Sequence, residues 1–326
     1  MRSINALSLA PDVDDWLANS RHPRILHVFD RVCNLINERR EVLSIVMQHI
    51  GNGPFNLVLE DDILFSEHFG LHAKRLVSNS PNHLNLGDLT INTHHATLWS
   101  PRPDWEKLHA RRDLIIGGLK SCLSAWKSAE ADSITTFNPK LPITNYPSPI
   151  LQFSNSLISS IATANIQSSK ISASKLAGLG IGLTPAGDDF ILGALLAAWI
   201  IHPPEIARVL AEEIANTAAP LTTSLSAAWL KSAGRGEAGI LWHNFFDALI
   251  SVDRTASPLG IGNPTYMMAI QGALDKILAM GETSGADALA GFLNLFACWM
   301  ESRGDPSWSV EKPYQDGRVA PALYDK

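Results

Sequence analysis

The chain has 326 residues, of which 46% are hydrophobic and 18% are charged, and its formal net charge is -6. So large an apolar fraction excludes a disordered chain and predicts one large domain or two lobes. The negative charge and the lack of a dense run of lysine and arginine exclude nucleic acid and anionic membranes as expected partners, which leaves a small molecule.

The cysteines and the apolar runs indicate where the protein works. Cys33, Cys122 and Cys298 are far apart and show no metal-ligand spacing, which is typical of a reducing compartment. The first residues contain no apolar stretch of signal-peptide length. The longest apolar run, residues 190–201, is shorter than the roughly 20 residues that span a bilayer. We therefore expect a soluble, cytoplasmic protein.

The first part of the chain, residues 1–103, is predicted to form a β-rich lobe, either barrel-like or a sandwich. Runs of β-branched and apolar residues at 25–28, 42–47 and 55–59 are separated by polar turns, as in consecutive strands. Alternating apolar residues between positions 84 and 98 predict further strands before prolines interrupt the pattern.

The second part, residues 104–303, is predicted to be a mainly α-helical lobe, so that the fold class is α+β. Residues 104–127 place apolar side chains at helical spacing, and most later segments are rich in alanine and leucine. Residues 139–149 are interpreted as a proline-bearing linker within this part. Residues 304–326 are predicted to be a polar C-terminal tail.

The clearest motif is a glycine-rich junction at residues 178–189, directly before the longest apolar run. Alternating glycines allow the backbone to approach a ligand closely. Thr184 followed by Pro185 predicts a helix start with Thr184 as the N-cap, and the free amides at such a start bind anions. The candidate binding or catalytic residues of this junction are Gly180, Gly182, Thr184, Gly187, Asp188 and Asp189.

A second junction is built in the same way and contains the candidate residues Thr283, Ser284, Gly285 and Asp287. Both junctions carry the pattern Gly-x-Asp-x-x-x-Gly-x-Leu. In each predicted helix, the aspartate and the later glycine are four residues apart and share one face. We infer that the helices pack through Gly193 and Gly291, which brings the carboxylates of Asp189 and Asp287 within about 10 Å of each other.

The chemistry of these aspartates is open at this point. Asp188 and Asp189 would repel the anion that a helix start attracts, and Mg²⁺ bound by both carboxylates would remove this conflict. Alternatively, one aspartate accepts hydrogen bonds from an amide or ammonium group of the substrate, or acts as a general base whose pKa is raised by burial.

A third polar cluster, Thr222, Thr223 and Ser224, precedes another predicted helix. Its hydroxyl groups could bind phosphate oxygens, but they could equally cap that helix. The same structural alternative applies to Thr184 and Ser284, because hydroxyl and acidic residues are common wherever a helix begins.

The glycine-rich junction resembles the Gly-Leu-Thr-Pro-Ser-x-Asp-Asp signature of the AllH family, which is represented by one subunit of oxamate carbamoyltransferase. Three blocks match in order, at residues 178–199, 221–249 and 280–293, and residues 28–59 show a weaker likeness. The sequence departs from the family pattern at three positions, where Ile181, Ala186 and Glu282 replace proline, serine and histidine.

The resemblance implies transfer of a carbamoyl group between carbamoyl phosphate and oxamate, at the end of allantoin breakdown, by a complex that includes two other kinds of subunit. The backbone and hydroxyl groups of the three clusters would bind the phosphate and the carbonyl oxygen, and an aspartate would manage the amine proton. Two alternatives remain: a non-catalytic scaffold or anion-binding subunit of such a complex, and a metal-dependent hydrolase.

Overall fold

The computed structural model describes residues 2–65, 71–129, 148–251 and 264–304. A sheet forms the N-terminal region and helices form the C-terminal region, which confirms the predicted α+β class. The last strand ends at Leu98 and the next helix begins at Trp105, close to the predicted boundary, although the division into domains stays a prediction. Apart from Gly304, the predicted tail lies outside the described residues, as does most of the predicted linker.

Within the described residues, nine strands form one mixed sheet, and a helix, α1 (Pro11–Asn19), follows the first strand. The strands are β1 (Arg2–Leu9), β2 (Arg24–Val28), β3 (Val32–Ile36), β4 (Val42–Val46), β5 (Asn56–Leu59), β6 (Ser78–Ser80), β7 (His83–Leu86), β8 (Leu89–Asn92) and β9 (Thr97–Leu98). Their order is β2-β3-β4-β5-β1-β8-β7-β6, and β9 pairs with β1. The β4–β5, β1–β8 and β1–β9 pairs are parallel, and the others are antiparallel.

The sheet curls so that its two edges approach each other. Arg24 of the edge strand β2 forms an antiparallel bridge with Leu76, and the Val77 amide donates to the Pro23 carbonyl at 2.9 Å, just before the opposite edge strand β6. The enclosed face carries an apolar core that includes Leu35, which is fully buried. Of the two predicted arrangements, the barrel-like one is confirmed as a half-barrel.

The strand prediction began at residue 25 and therefore missed β1 and α1. β1 lies in the middle of the sheet, between β5 and β8. Its inward positions include Ile4 and Ala6, and its remaining residues are mostly serine, asparagine and arginine. Because few of these residues are β-branched or aromatic, the segment has little local preference for a strand, and pairing on both sides stabilises it.

Ten helices form the described C-terminal region. They are α2 (Trp105–Ala110), α3 (Arg112–Ala129), α4 (Ser148–Ala162), α5 (Ile166–Leu176), α6 (Ala186–Ile201), α7 (Pro204–Ala218), α8 (Ser224–Gly234), α9 (Ile240–Ile250), α10 (Pro264–Leu278) and α11 (Ser284–Ser302). A short 3-10 helix (Ala219–Leu221) precedes α8. None of the helices described here has the length and apolar character that crossing a membrane requires.

Helix α6 is the centre of the helical core. All of its residues except Leu192 are buried, as expected for a helix that is apolar around its whole circumference. α11 packs along α6 and is buried over most of its length. These two helices are the ones that follow the glycine-aspartate junctions.

Helix α8 joins the two regions. At its start, Ser224 accepts a hydrogen bond from Arg40 of the β3–β4 turn at 3.3 Å. In its middle, Trp229 packs edge-on against Phe55, with ring centroids 4.7 Å apart. The first residues of α8 are therefore positioned at the boundary between the sheet and the helical core.

Candidate functional site

The loop between α5 and α6 requires its alternating glycines. Gly178, Gly180 and Gly182 have φ values of +75°, +123° and +97°, a region that other residues rarely adopt. A Cβ atom at position 178 would lie 2.7 Å from the Leu221 carbonyl oxygen, whereas open space surrounds position 182. At Gly178, the missing side chain therefore allows a close approach of the protein's own chain, while close approach to a ligand stays a prediction.

Asp188 connects this loop to the start of α8 through hydrogen bonds. Its Oδ1 accepts a hydrogen bond from the Gly178 amide at 2.8 Å, and its Oδ2 accepts one from the Thr222 hydroxyl. Burial raises the pKa of Asp188, and hydrogen bonds from Thr222, Gly178 and Ser226 lower it. Because both carboxyl oxygens are occupied, the geometry favours a positioning role for Asp188 over direct catalysis.

Asp189 lies in the first turn of α6 and has a different environment, because it faces the start of α11. The hydroxyl groups of Thr184 and Ser284 lie 2.8 Å apart beside it. The pKa of Asp189 is raised to about 8, mainly by burial and in smaller part by the nearby Asp287 and Asp188, although hydrogen bonds from Ser284 and Thr184 lower it. Asp189 is therefore protonated at neutral pH. It is only 9% exposed, and its Oδ2 has no hydrogen-bond partner.

The inferred packing of α6 against α11 is confirmed. A Cβ atom at Gly193 would lie 1.7 Å from the Ala288 carbonyl oxygen, and one at Gly291 would lie 2.0 Å from the Phe190 carbonyl oxygen. This contact brings Asp287, which is fully buried, close enough to Asp189 for the two carboxyl groups to interact electrostatically.

The first-turn glycines of the two junctions serve packing. Cβ atoms at Gly187 and Gly285 would lie 2.2 Å from the Leu176 carbonyl oxygen and 1.8 Å from that of Ile277, in the last turns of the preceding helices. Their amides donate to the carbonyls of Leu179 and Met280 at 2.8 and 3.0 Å. Each of these two amides thus already has a carbonyl acceptor, and a binding role for Gly187 and Gly285 stays a prediction.

The predicted cap at Thr184 is wrong, whereas the Thr222–Ser224 cluster does supply a cap. α6 begins after Pro185 with no side-chain cap, and α11 begins at Ser284, also with no side-chain cap. Thr184 instead contacts Ser284, across the interface between the two helices. Thr223 does cap α8, accepting from the Ser226 amide at 3.1 Å, and it also donates to the carbonyl of residue 183 at 2.6 Å.

These contacts bring the starts of α6, α8 and α11 to one place. Thr222 connects α8 to α6 through Asp188, and Ser284 connects α11 to α6 through Asp189 and Thr184.

Sequence reasoning found all these residues but missed Arg40, which reaches Ser224 from the sheet. Asn37 could have indicated the turn between β3 and β4. The sequence gives no sign, however, that this turn places Arg40 beside α8.

The structure does not identify a cofactor. Among the described residues, no three or more histidine, cysteine, aspartate or glutamate side chains are grouped so as to hold a metal ion. Mg²⁺ binding by Asp188 and Asp189 stays a prediction. A surface cavity of about 470 Å³ lies elsewhere, between α4 and α5, and is lined by uncharged polar side chains such as Asn155, Ser160 and Asn165.

Comparison with known families agrees with the motifs. The family described as "Oxamate carbamoyltransferase subunit AllH" matches residues 176–296, which include both junctions and the Thr222 cluster. The family described as "AllH family N-terminal domain" matches residues 5–98, which span most of the curled sheet. No solved structure matches the chain.

Proposed function

Because the chain belongs to the AllH family, we propose that it is a catalytic subunit of a carbamoyltransferase of the oxamate carbamoyltransferase type. Its substrate would be carbamoyl phosphate, and the site would lie where α6, α8 and α11 begin. The observation that carries this proposal is the buried carboxyl group of Asp189, which has one oxygen without a hydrogen-bond partner and a pKa raised to about 8.

The helix starts suit a phosphate group. Each helix places partial positive charge at its first turn, and this charge attracts anions. Three such starts meet beside the hydroxyl groups of Thr222, Thr223 and Ser284. A phosphate at this position would lie within the partial positive charge of more than one helix start.

The proposed reaction needs a group that supplies a proton and a group that removes one. The acceptor's nitrogen attacks the carbonyl carbon of carbamoyl phosphate; the new C–N bond forms, the C–O bond to phosphate breaks, and the nitrogen loses a proton. Protonated Asp189 would donate to the oxygen that gains negative charge. Asp287, across the helix interface, would accept the proton from nitrogen.

A non-catalytic subunit is the second candidate, and one observation favours it. Apolar side chains surround the loop at the site: Ile181 is 96% exposed, and Leu183 and Leu221 are also exposed. Exposed apolar side chains that lie together commonly mark a surface for another protein. In this alternative, the loop would only bind a neighbouring subunit.

Binding and turnover together separate these candidates. We would titrate the purified chain with carbamoyl phosphate by calorimetry, with and without Mg²⁺, and assay carbamoyl transfer after adding the partner subunits. Asn has the shape of protonated aspartate but cannot release a proton. Asp189→Asn should therefore bind within about threefold of wild type and turn over at least 100-fold more slowly.

The control is Asp61→Asn, which changes an exposed carboxylate far along the chain. It should leave binding and turnover unchanged. Normal turnover by Asp189→Asn in the reconstituted complex would favour the scaffold. Binding that appears only with Mg²⁺ would support the predicted metal site, and hydrolysis without an acceptor would support the metal-dependent hydrolase.

A further inference from the structure

The turn between β3 and β4 holds Arg40 in an unfavourable backbone conformation. Arg40 has a φ of +62°, in the left-handed region that residues with a Cβ atom avoid. Asn37, which is 5% exposed, maintains the turn: its Oδ1 accepts from the amides of Arg39 and Glu41 at 3.0 and 2.9 Å. Glycine would adopt this backbone conformation without strain. The presence of an arginine at this position therefore points to a role for its side chain.

The two neighbouring arginines of this turn have different partners. The guanidinium of Arg39 forms an ion pair with Glu41 at 2.8 Å. The guanidinium of Arg40 donates to the Ser224 hydroxyl at 3.3 Å, at the first residue of α8. Of the residues that the structure describes, none forms an ion pair with Arg40. Its positive charge is therefore available to a ligand.

The candidate site otherwise contains acids and hydroxyl groups. Carboxyl and hydroxyl groups shift the pKa of Asp189, and no basic side chain is among them. Hydroxyl and amide groups act on Asp188, again without a basic side chain. A bound phosphate would be repelled by any of these acids that is ionised. The partial positive charges of the helix starts would offset this repulsion only in part.

One contact places Arg40 beside this site, and a second feature of the site suits a bound ligand. Ser224, which it contacts, follows Thr222 and Thr223, whose hydroxyl groups bond to Asp188 and to the glycine loop. Asp189, at the same junction, presents a buried oxygen that has no partner. The guanidinium group also has five N–H donors in a planar fork, a geometry that matches phosphate oxygens.

We propose that Arg40 is a phosphate-binding residue of the site, contributed by the sheet, and that the bound phosphate connects the β3–β4 turn to the start of α8. This inference rests on the proposed site, and it adds a recognition residue from the other region of the chain. The turn fixes the backbone of Arg40, and the hydrogen bond to Ser224 orients its guanidinium before the ligand arrives, so that less conformational entropy is lost on binding.

The test uses the full chain and two variants of neighbouring residues. Binding of inorganic phosphate and of carbamoyl phosphate is measured by calorimetry at low ionic strength, and thermal unfolding is measured in parallel. Arg40→Gly relieves the positive φ, so we expect an unchanged or higher unfolding temperature together with at least tenfold weaker binding of both ligands. The matched control, Arg39→Gly, should keep wild-type affinity, and Arg40→Lys should bind with intermediate affinity because it keeps the charge but loses the fork.

The outcomes distinguish this inference from the proposed function. If Arg40→Gly binds both ligands as tightly as wild type, the inference is overturned and the proposed function stands. If wild type binds inorganic phosphate in an Arg40-dependent way but does not bind carbamoyl phosphate, the inference stands and the proposed substrate is wrong. If folded wild type binds neither ligand, both are overturned for the isolated chain.

Discussion

Gly193 of α6 and Gly291 of α11 make equivalent contacts with each other's helices. Position 193 faces the carbonyl of Ala288, three residues before Gly291, and position 291 faces the carbonyl of Phe190, three residues before Gly193. This reciprocity relates the two glycine-aspartate junctions by a local two-fold arrangement. It explains why Asp189 and Asp287, which occupy matching places in the repeated pattern, meet across the interface.

Adding a methyl group at this contact should separate the helices. We expect Gly193→Ala and Gly291→Ala each to lower the free energy of unfolding by about 3 kcal/mol, because the new Cβ atom would overlap a backbone carbonyl that cannot rotate away. Urea denaturation measures this change. Gly272→Ala is the control: it lies in α10 with open space around it and should stabilise the protein by about 0.5 to 1 kcal/mol. Equal effects at all three positions would contradict the packing.

Burial of protonated Asp189 should make stability depend on pH. The folded pKa of about 8 lies above the ordinary value of 3.8, so the folded state binds one more proton than the unfolded state between these values. The contribution of Asp189 to the free energy of unfolding is therefore fully present below about pH 4 and is lost as the pH rises towards 8.

Asp189→Asn removes this dependence because its amide does not ionise. The free energy of unfolding of the variant minus that of wild type should therefore increase by about 2 to 4 kcal/mol from pH 5 to pH 8, as measured by urea denaturation. Asp61→Asn, at an exposed position, should follow the wild-type curve. Parallel curves for Asp189→Asn and wild type would mean that Asp189 is ionised at neutral pH.

The hydroxyl of Thr222 should stabilise the glycine loop through Asp188. In Thr222→Val, the buried Oδ2 of Asp188 loses its hydrogen bond, and we expect a loss of about 1 to 3 kcal/mol in free energy of unfolding. Thr163→Val is the control, because this exposed hydroxyl bonds only to carbonyls in the last turn of α4 and should contribute less than about 0.5 kcal/mol. Equal losses in the two variants would exclude a special role for Thr222.

Ser284 should tune the pH at which the proposed enzyme loses activity. If protonated Asp189 is the proton donor, turnover falls as the pH rises through about 8. The hydrogen bond from Ser284 lowers the pKa of Asp189, so Ser284→Ala should move this alkaline limb upwards by about one pH unit. Ser156→Ala, at an exposed site on α4, should not move it. The pH dependence of kcat in the reconstituted complex decides the matter.

The sequence by itself determined much of the helical core and of the candidate site. The apolar circumference of α6 predicted its burial, and the repeated spacing of Gly193 and Asp189 with Gly291 and Asp287 predicted how α6 and α11 meet. These features are readable because helical periodicity and the absence of a Cβ atom act over a few residues.

The tertiary structure alone decided which partner each polar group takes. Thr184 had the local signature of a cap, yet it contacts Ser284, one hundred residues away. Arg40 reaches Ser224 only because the curled sheet places the β3–β4 turn beside α8, and β1 became a central strand through its neighbours on both sides. Such contacts depend on segments that are distant in the chain, and no local pattern of residues encodes them.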